Sequence, residues 1–276
     1  MSKAASDRIL VTPSSYTKSQ YLYIQEIGTL KSLEPHISQR KNLDSYLFFL
    51  VLDGCGTITF QGVSYSMQAG DCVWLNCVEP YSHESSGVSP WSLMWVHFNG
   101  YQAKGFYQLY KEREGPVVYT PPELSPYTEL IKTLYGLQQQ NEAFSDLLSH
   151  KYLTDLIVQI FEDVFYSSSA PVPDKLLEVR RYIEQHHTEK LTLDSLSERF
   201  FISKYHLLRE YQRLFGSSII NDLNTKRLSH AKSLLRFSNE SVENIALACG
   251  FQNASYFIKV FKRYENLTPL AYRKKW

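Results

Sequence analysis

Two segments of the chain are variants of one pattern, and this duplication limits the possible folds more than any other feature. The first covers residues 196–216 and the second 245–264. Leu196 matches Ile245 and Ile202 matches Phe251 at an offset of 49; Leu207 matches Phe257, Arg209 matches Lys259 and Tyr211 matches Phe261 at an offset of 50. One more residue in the second turn accounts for the change. Each copy reads as a short helix, a tight turn and a longer helix. In the second copy the small Ala246 faces the turn, and Gly250 can take the φ > 0 conformation that a sharp turn needs. The first copy has Ser197 and Phe201 there, so its turn is expected to be less regular or differently built. Asp194 and Ser241 are the expected N-caps.

In each longer helix the apolar set (Leu207, Tyr211 and Leu214; Phe257, Phe261 and Tyr264) buries one face. That leaves Lys204, Tyr205, Leu208, Arg209 and Gln212 outward in one copy, and Asn253, Ala254, Ser255, Ile258, Lys259 and Lys262 in the other. The competing reading is a plain helical bundle with solvated faces. Charge argues against it. From Lys175 onward there are 18 Lys+Arg against 10 Asp+Glu, a net of +8, whereas the rest has 11 against 18, a net of −7. A basic half joined to an acidic half points to a polyanion on one side only. A helix fits the DNA major groove, where amides and guanidinium groups read base edges and lysines hold phosphates.

These residues resemble a known family. The segment from about 191 to 276 is similar to the AraC-type DNA-binding domain (the AraC/XylS group). The resemblance is carried by Gly250 and Phe251, Ser255 to Phe257, Val260 to Arg263, Thr268 with Pro269, and Tyr272 with Arg273. Arg227, Leu228, Ala231, Leu234 and Leu235 match the helix that joins its two helix-turn-helix units. Asn266 stands where glycine is usual, but Asn tolerates left-handed φ. In that family both recognition helices enter successive major-groove faces of one asymmetric site. The DNA-binding set is then Lys204, Tyr205, Leu208, Arg209, Gln252, Asn253, Ala254, Ser255, Lys259 and Lys262.

Upstream the pattern changes. Short apolar runs such as 47–52, 57–60, 63–67, 72–75 and 93–98 are broken by glycine turns, which suggests a small β-barrel or jelly roll. Residues 127–165 then return to helical spacing. There Leu148, Tyr152, Leu156, Ile160 and Val164 form an apolar stripe, expected either to pack on the barrel or to form a dimer seam. The strand-rich half resembles the cupin-like sensor of sugar-responsive AraC members, through Arg40, Gly54 and Gly56, Ala69 to Asp71, Trp91, and Trp95 to Gly100. The resemblance implies that Arg40 and Trp95 contact a small carbohydrate, which we expect to be neutral. His97 shares a strand face with Trp95, and His83 lies near the position of a pocket aromatic. Leu93 replaces a polar contact of the arabinose-binding member, so the ligand need not be arabinose. Arg40 offers donors only, so acceptors must come from a tyrosine, a carbonyl or a carboxylate elsewhere.

The expected fold is therefore α+β in two domains: a cupin-like β-barrel with a helical connector (1–166), a linker (167–174) rich in Ser and Pro, and an all-α domain with two helix-turn-helix units (175–276). The expected function is a ligand-responsive transcription regulator of carbohydrate uptake or catabolism. Its partners would be promoter DNA, a second copy of itself, a sugar effector and, for an activator, RNA polymerase. A metal-dependent cupin enzyme needs a compact His-x-His, and none of the eight histidines supplies one; no enzyme activity, cofactor or metal is expected. A regulator whose barrel only dimerises is the other alternative, and an apolar plug in the barrel would favour it. No apolar run approaches the ~20 residues of a membrane span, the first ten residues lack the apolar core of a secretory signal, and the scattered Cys55, Cys72, Cys77 and Cys249 suit a reducing compartment. Cytoplasm is expected.

Overall fold

The computed structural model describes residues 4–35, 37–140, 144–167 and 174–275. The chain divides into two compact units, Met1–Ser169 and Ala170–Trp276. Apart from its two end residues, the expected linker at 167–174 lies outside the described residues. No described helix is long and apolar enough to cross a membrane.

The described strands of the first unit are β1 (Ala4–Leu10), β2 (Leu22–Ser32), β3 (Ile37–Arg40), β4 (Tyr46–Asp53), β5 (Cys55–Phe60), β6 (Val63–Gln68), β7 (Cys72–Asn76), β8 (Tyr81–Ser85), β9 (Ser92–Gly100) and β10 (Val118–Tyr119). They pair antiparallel in two sheets, ordered β1-β2-β9-β4-β7-β10 and β3-β8-β5-β6. Helices α1 (Ser15–Gln20), α2 (Ala103–Glu112), α3 (Ser125–Gln140) and α4 (Ser145–Glu162), with a π-helical turn at Asp163–Ser167, complete the unit. The apolar run in β4 has no polar face because both faces are covered. Tyr46, Phe48 and Leu50 join a core that includes Tyr107, Tyr127 and Leu156 from the helices. Leu47, Phe49 and Val51 join Ile58, Phe60 and Tyr81 of the other sheet. Each such side chain contributes about 1.5–3 kcal/mol by leaving water.

Strand β2 departs from the sequence reading: its register shifts between Ile24 and Glu26, and such a bulge breaks the period-two alternation that marks a strand. The helical run at 127–165 forms two helices. Within the apolar stripe, Leu156 and Ile160 are fully buried in the same core as Trp74 and Phe48, and Tyr152 and Val164 pack against it, so these four residues meet their own barrel.

The second unit contains α5 (Asp174–Gln185), α6 (Leu193–Phe200), α7 (Lys204–Phe215), α8 (Ile219–Phe237), α9 (Val242–Ala248), α10 (Ala254–Glu265) and α11 (Pro269–Arg273). Helix α8 serves two cores. Its Ile219 and Leu223 pack with Leu196, Leu207 and Tyr211, and its Leu228, Ala231 and Leu235 pack with Ile245, Phe257 and Phe261. The two turns open alike but differ afterwards: Ser203, the cap of α7, follows Ile202 directly, whereas Gln252 separates Phe251 from Asn253, the cap of α10. The N–H of Ile202 donates to the Ser197 carbonyl at 3.1 Å, and that of Phe251 to the Ala246 carbonyl at 2.9 Å. Phe201 takes φ 52° where Gly250 takes 84°, and the Ser197 hydroxyl donates to the Ile202 carbonyl at 2.6 Å. Asp194 is not a cap. The cap of α6 lies two residues before it, at Thr192, where the Thr192 hydroxyl accepts the Ser195 N–H and the Ser195 hydroxyl accepts the Thr192 N–H. Ser241 caps α9.

A Cβ on Gly250 would lie 2.6 Å from the Thr188 carbonyl oxygen and 2.8 Å from that of His187. Gly250→Ala is therefore expected to destabilise the second unit by about 2–4 kcal/mol through backbone strain and overpacking. Phe201→Gly releases left-handed strain at an exposed site and is expected to leave stability unchanged or raise it by up to about 1 kcal/mol. Scanning calorimetry of the full chain checks both; equal losses from the two would contradict this account of the turns.

Candidate functional site

On the second unit, Ser203 caps α7 by accepting the His206 N–H, and the Asn253 side-chain oxygen caps α10 by accepting the Tyr256 N–H at 2.8 Å. Burial fixes which faces point outward. Leu207, Tyr211, Phe257, Val260 and Phe261 are buried. Lys204, Tyr205, Leu208 and Arg209 of α7 are exposed, as are Gln252, Asn253, Ser255, Lys259 and Lys262 at and along α10. Ala254 and Ile258 are the exceptions: both are half-buried against the core, because each lies on the flank of the helix rather than its crest. Tyr205 is 89% exposed, a state that costs hydration free energy unless a partner covers the ring.

Several outward groups already have partners. Lys204 pairs with Asp194. Arg209 and Arg213 share Glu210, at 3.0 and 2.8 Å; the Arg213 contact and then the Arg209 contact hold that carboxyl below its ordinary range. Asn253 has one side-chain oxygen committed to its cap, leaving its amide NH2 as the group able to read a base. The offset of 50 also pairs His206 with Tyr256, both exposed on the recognition helices. The sequence reading passed over them, although the repeat itself contained that signal.

In the first unit, Arg40, His83, Trp95 and His97, singled out from sequence, line one cavity of about 270 Å³. Leu93, Trp95 and His97 reach it from alternate positions of β9, and Tyr81 and His83 from β8. Arg40, at the end of β3, lies opposite Tyr81. Sequence reasoning missed Arg8, Glu26 and Tyr81, which also face the cavity. The first two come from β1 and the bulged β2, where alternation gives no signal. The Arg8 guanidinium stands over the Trp95 ring, 5.5 Å from its centroid, and pairs with Glu26 at 3.3 Å. Glu26 and Tyr81 are therefore acceptors of the kind a donor-only Arg40 requires.

His97 is buried, with its Nδ1 3.1 Å from the Ser45 hydroxyl. Burial, then the positive charge of Arg40 and then His83, lower its pKa from 6.5 to about 4. Burial likewise pushes the neighbouring Cys77 thiol up to about 12. Neither group carries charge near neutrality; the arginine and carboxylate side chains that line this cavity are Arg8, Arg40 and Glu26.

Comparison with known proteins agrees with this division. Residues 26–157 match the family model described as AraC-like ligand binding domain, and residues 196–275 match a helix-turn-helix domain model. The MmsAB operon regulatory protein of Pseudomonas aeruginosa is 23% identical over 93% of this chain and 84% of its own length. The HTH-type transcriptional regulator YisR of Bacillus subtilis is 27% identical over 94% and 84%. An HTH-type transcriptional regulator of Staphylococcus aureus is 39% identical over 56% of this chain, which spans 21% of that longer relative. Among solved structures, the DNA-binding domain of AdpA, in complex with a target DNA, is 31% identical over 37% of this chain and 91% of that one, with a TM-score of 0.35. The fold and the two site surfaces define a DNA-binding transcription regulator with a ligand-binding domain. The chain belongs to the AraC family of such regulators.

A depressed histidine pKa has a pH signature. Below about pH 6.5 the unfolded chain binds a proton that folded His97 refuses until about pH 4. The first unit should thus lose about 2–3 kcal/mol of stability as pH falls across that window. His97→Gln should flatten this part of the stability profile in urea unfolding; an unchanged slope would mean that His97 titrates normally.

Proposed function

We propose that this protein is a sequence-specific, ligand-responsive regulator of genes for carbohydrate uptake or breakdown, working in the cytoplasm as a homodimer. The observation that carries the ligand reading is the convergence of Arg40, Trp95, His83 and His97 on one polar cavity. A barrel serving only to dimerise has no need of two arginines, a carboxylate and two imidazoles around an open space. A sugar offers hydroxyls on its rim and C–H groups on its faces, so its site needs hydrogen-bonding groups and an aromatic wall. With Leu156 and Ile160 buried in their own domain, the dimer contact must use other residues.

In the DNA-binding unit the work divides between reading and holding. Tyr205, Leu208 and Arg209 on α7, and Asn253, Ser255 and Lys259 on α10, face base edges. Lys204, Gln252 and Lys262 hold the backbone, and Ala254 contributes a small surface that lets the helix approach. Ligand in the barrel changes how two DNA-binding units are presented on the promoter, and RNA polymerase becomes a partner if the result is activation. This is allostery only if ligand and DNA alter each other's affinity equally.

DNA affinity should fall steeply with salt, because each neutralised phosphate releases counterions. Arg209→Ala should cost about 1–3 kcal/mol at particular base positions, whereas Lys262→Ala should weaken all sequences alike. Asn253→Ala should also cost about 1 kcal/mol of helix stability through its cap. Binding to a randomised duplex library at several salt concentrations checks these outcomes. Salt-independent binding, or uniform losses from all three variants, would overturn the assignment of faces.

A further inference from the structure

We infer that the effector is an anionic monosaccharide, its carboxylate or phosphate gripped by Arg40, rather than the neutral sugar expected from sequence; this rests on the reading of the barrel cavity as a sugar site. The fixed charges lining the cavity are two guanidinium groups and one carboxylate. That carboxylate, Glu26, is already paired with Arg8. Among the described residues no carboxylate lies within ion-pair distance of Arg40, whose polar neighbour is the hydroxyl of Tyr81. A cation at a cavity wall with no fixed counter-ion is a standing site for an oxyanion, and its planar fork of donors matches carboxylate and phosphate.

The surroundings point the same way. Arg40 also lines the adjoining surface groove, with Lys41, Tyr81 and Thr59, and no acidic residue borders that groove. The charged residues lining that groove, Arg40 and Lys41, are both cations. The cavity interior bears the mark of this charge, since Arg40 helps keep the buried His97 neutral. The aromatic wall is not free either. A neutral sugar would be expected to lay its C–H face on a bare Trp95 ring, but the Arg8 guanidinium already stands over that ring. A ligand with an anionic group can draw on Arg8 and Arg40 together. Its hydroxyls are left with Glu26 and Tyr81 as acceptors. About 270 Å³ of space suits one sugar ring better than a chain of them.

Calorimetry on the full chain at low ionic strength, with matched pairs of probes, tests this. Galacturonate and glucuronate are compared with galactose and glucose, glucose 6-phosphate with glucose, and hexanoate serves as a carboxylate without a sugar. We expect an acid or a phosphate to bind at least about tenfold more tightly than its neutral partner, the uronate and phosphate arms showing which oxyanion is used. Arg40→Gln should weaken that ligand by roughly tenfold to a hundredfold while the unliganded melting temperature holds, and Arg40→Lys should recover part of the loss. A neutral hexose binding as tightly as its acid would overturn the anion and leave the sugar reading standing. Hexanoate binding as tightly as the uronate would support the oxyanion grip and overturn the sugar reading. No binding by any probe would overturn both.

Discussion

The buried guanidinium of Arg227 holds the DNA-binding unit together as a single reader. It reaches from α8 to donate to the His187 carbonyl at 2.6 Å and to the Glu189 carbonyl at 2.7 Å. Its charge also lies over the ring of Phe251, 5.6 Å from the centroid. Burial opposes the charge and lowers its pKa, so the carbonyl dipoles and the ring must do the work that water does outside. Hydrogen bonds to a charged group contribute about 1.5–3 kcal/mol each. These bonds join the loop between α5 and α6 to α8, and the ring contact extends the link to Phe251 in the turn of the second helix-turn-helix. Gly250 is pressed against the same loop, at His187 and Thr188. The two recognition helices are thereby fixed relative to each other within the unit, so a change of presentation must move them as one body.

In the sensor unit the equivalent constraint is strand register. Along β9 the odd positions Leu93, Trp95 and His97 face the cavity, while Met94, Val96 and Phe98 face the helices. A slip of one residue would exchange these sets and place an indole and an imidazole where Phe98 now packs. The apolar core on both sides of β4, β7 and β9 is what prevents that slip. The polar cavity thus depends on the apolar residues between its members.

Much of this was legible in the sequence because duplication and alternation leave regular traces. The offset of 49 to 50 exposed both helix-turn-helix units, and the alternation around Trp95 led to His97. What was not legible lacked such periodicity. The bulge in β2 hid Glu26, and β1, with its Arg8, pairs along one edge only, so neither showed a period of two. The stripe on α4 looked the same from sequence whether it met its own barrel or another copy, since both surfaces are apolar. Asp194 was mistaken for a cap because a carboxylate in the first turn and one at the cap are both favourable near a helix N-terminus; the hydroxyl pair of Thr192 and Ser195 decided it. Phe201 showed that a non-glycine residue can hold a left-handed turn when the hydrogen bonds around it are complete.

Hydroxyl-radical footprinting of the full chain, on a duplex selected by it from a randomised library, tests the account most directly. Two helices fixed in one reader should protect, for each bound protomer, two patches on one face of the DNA, about 34 Å or one helical turn apart. Arg209→Ala should weaken protection at one patch and Lys259→Ala at the other. Two patches whose spacing varies between selected sites, or a single patch that neither substitution alters, would contradict it.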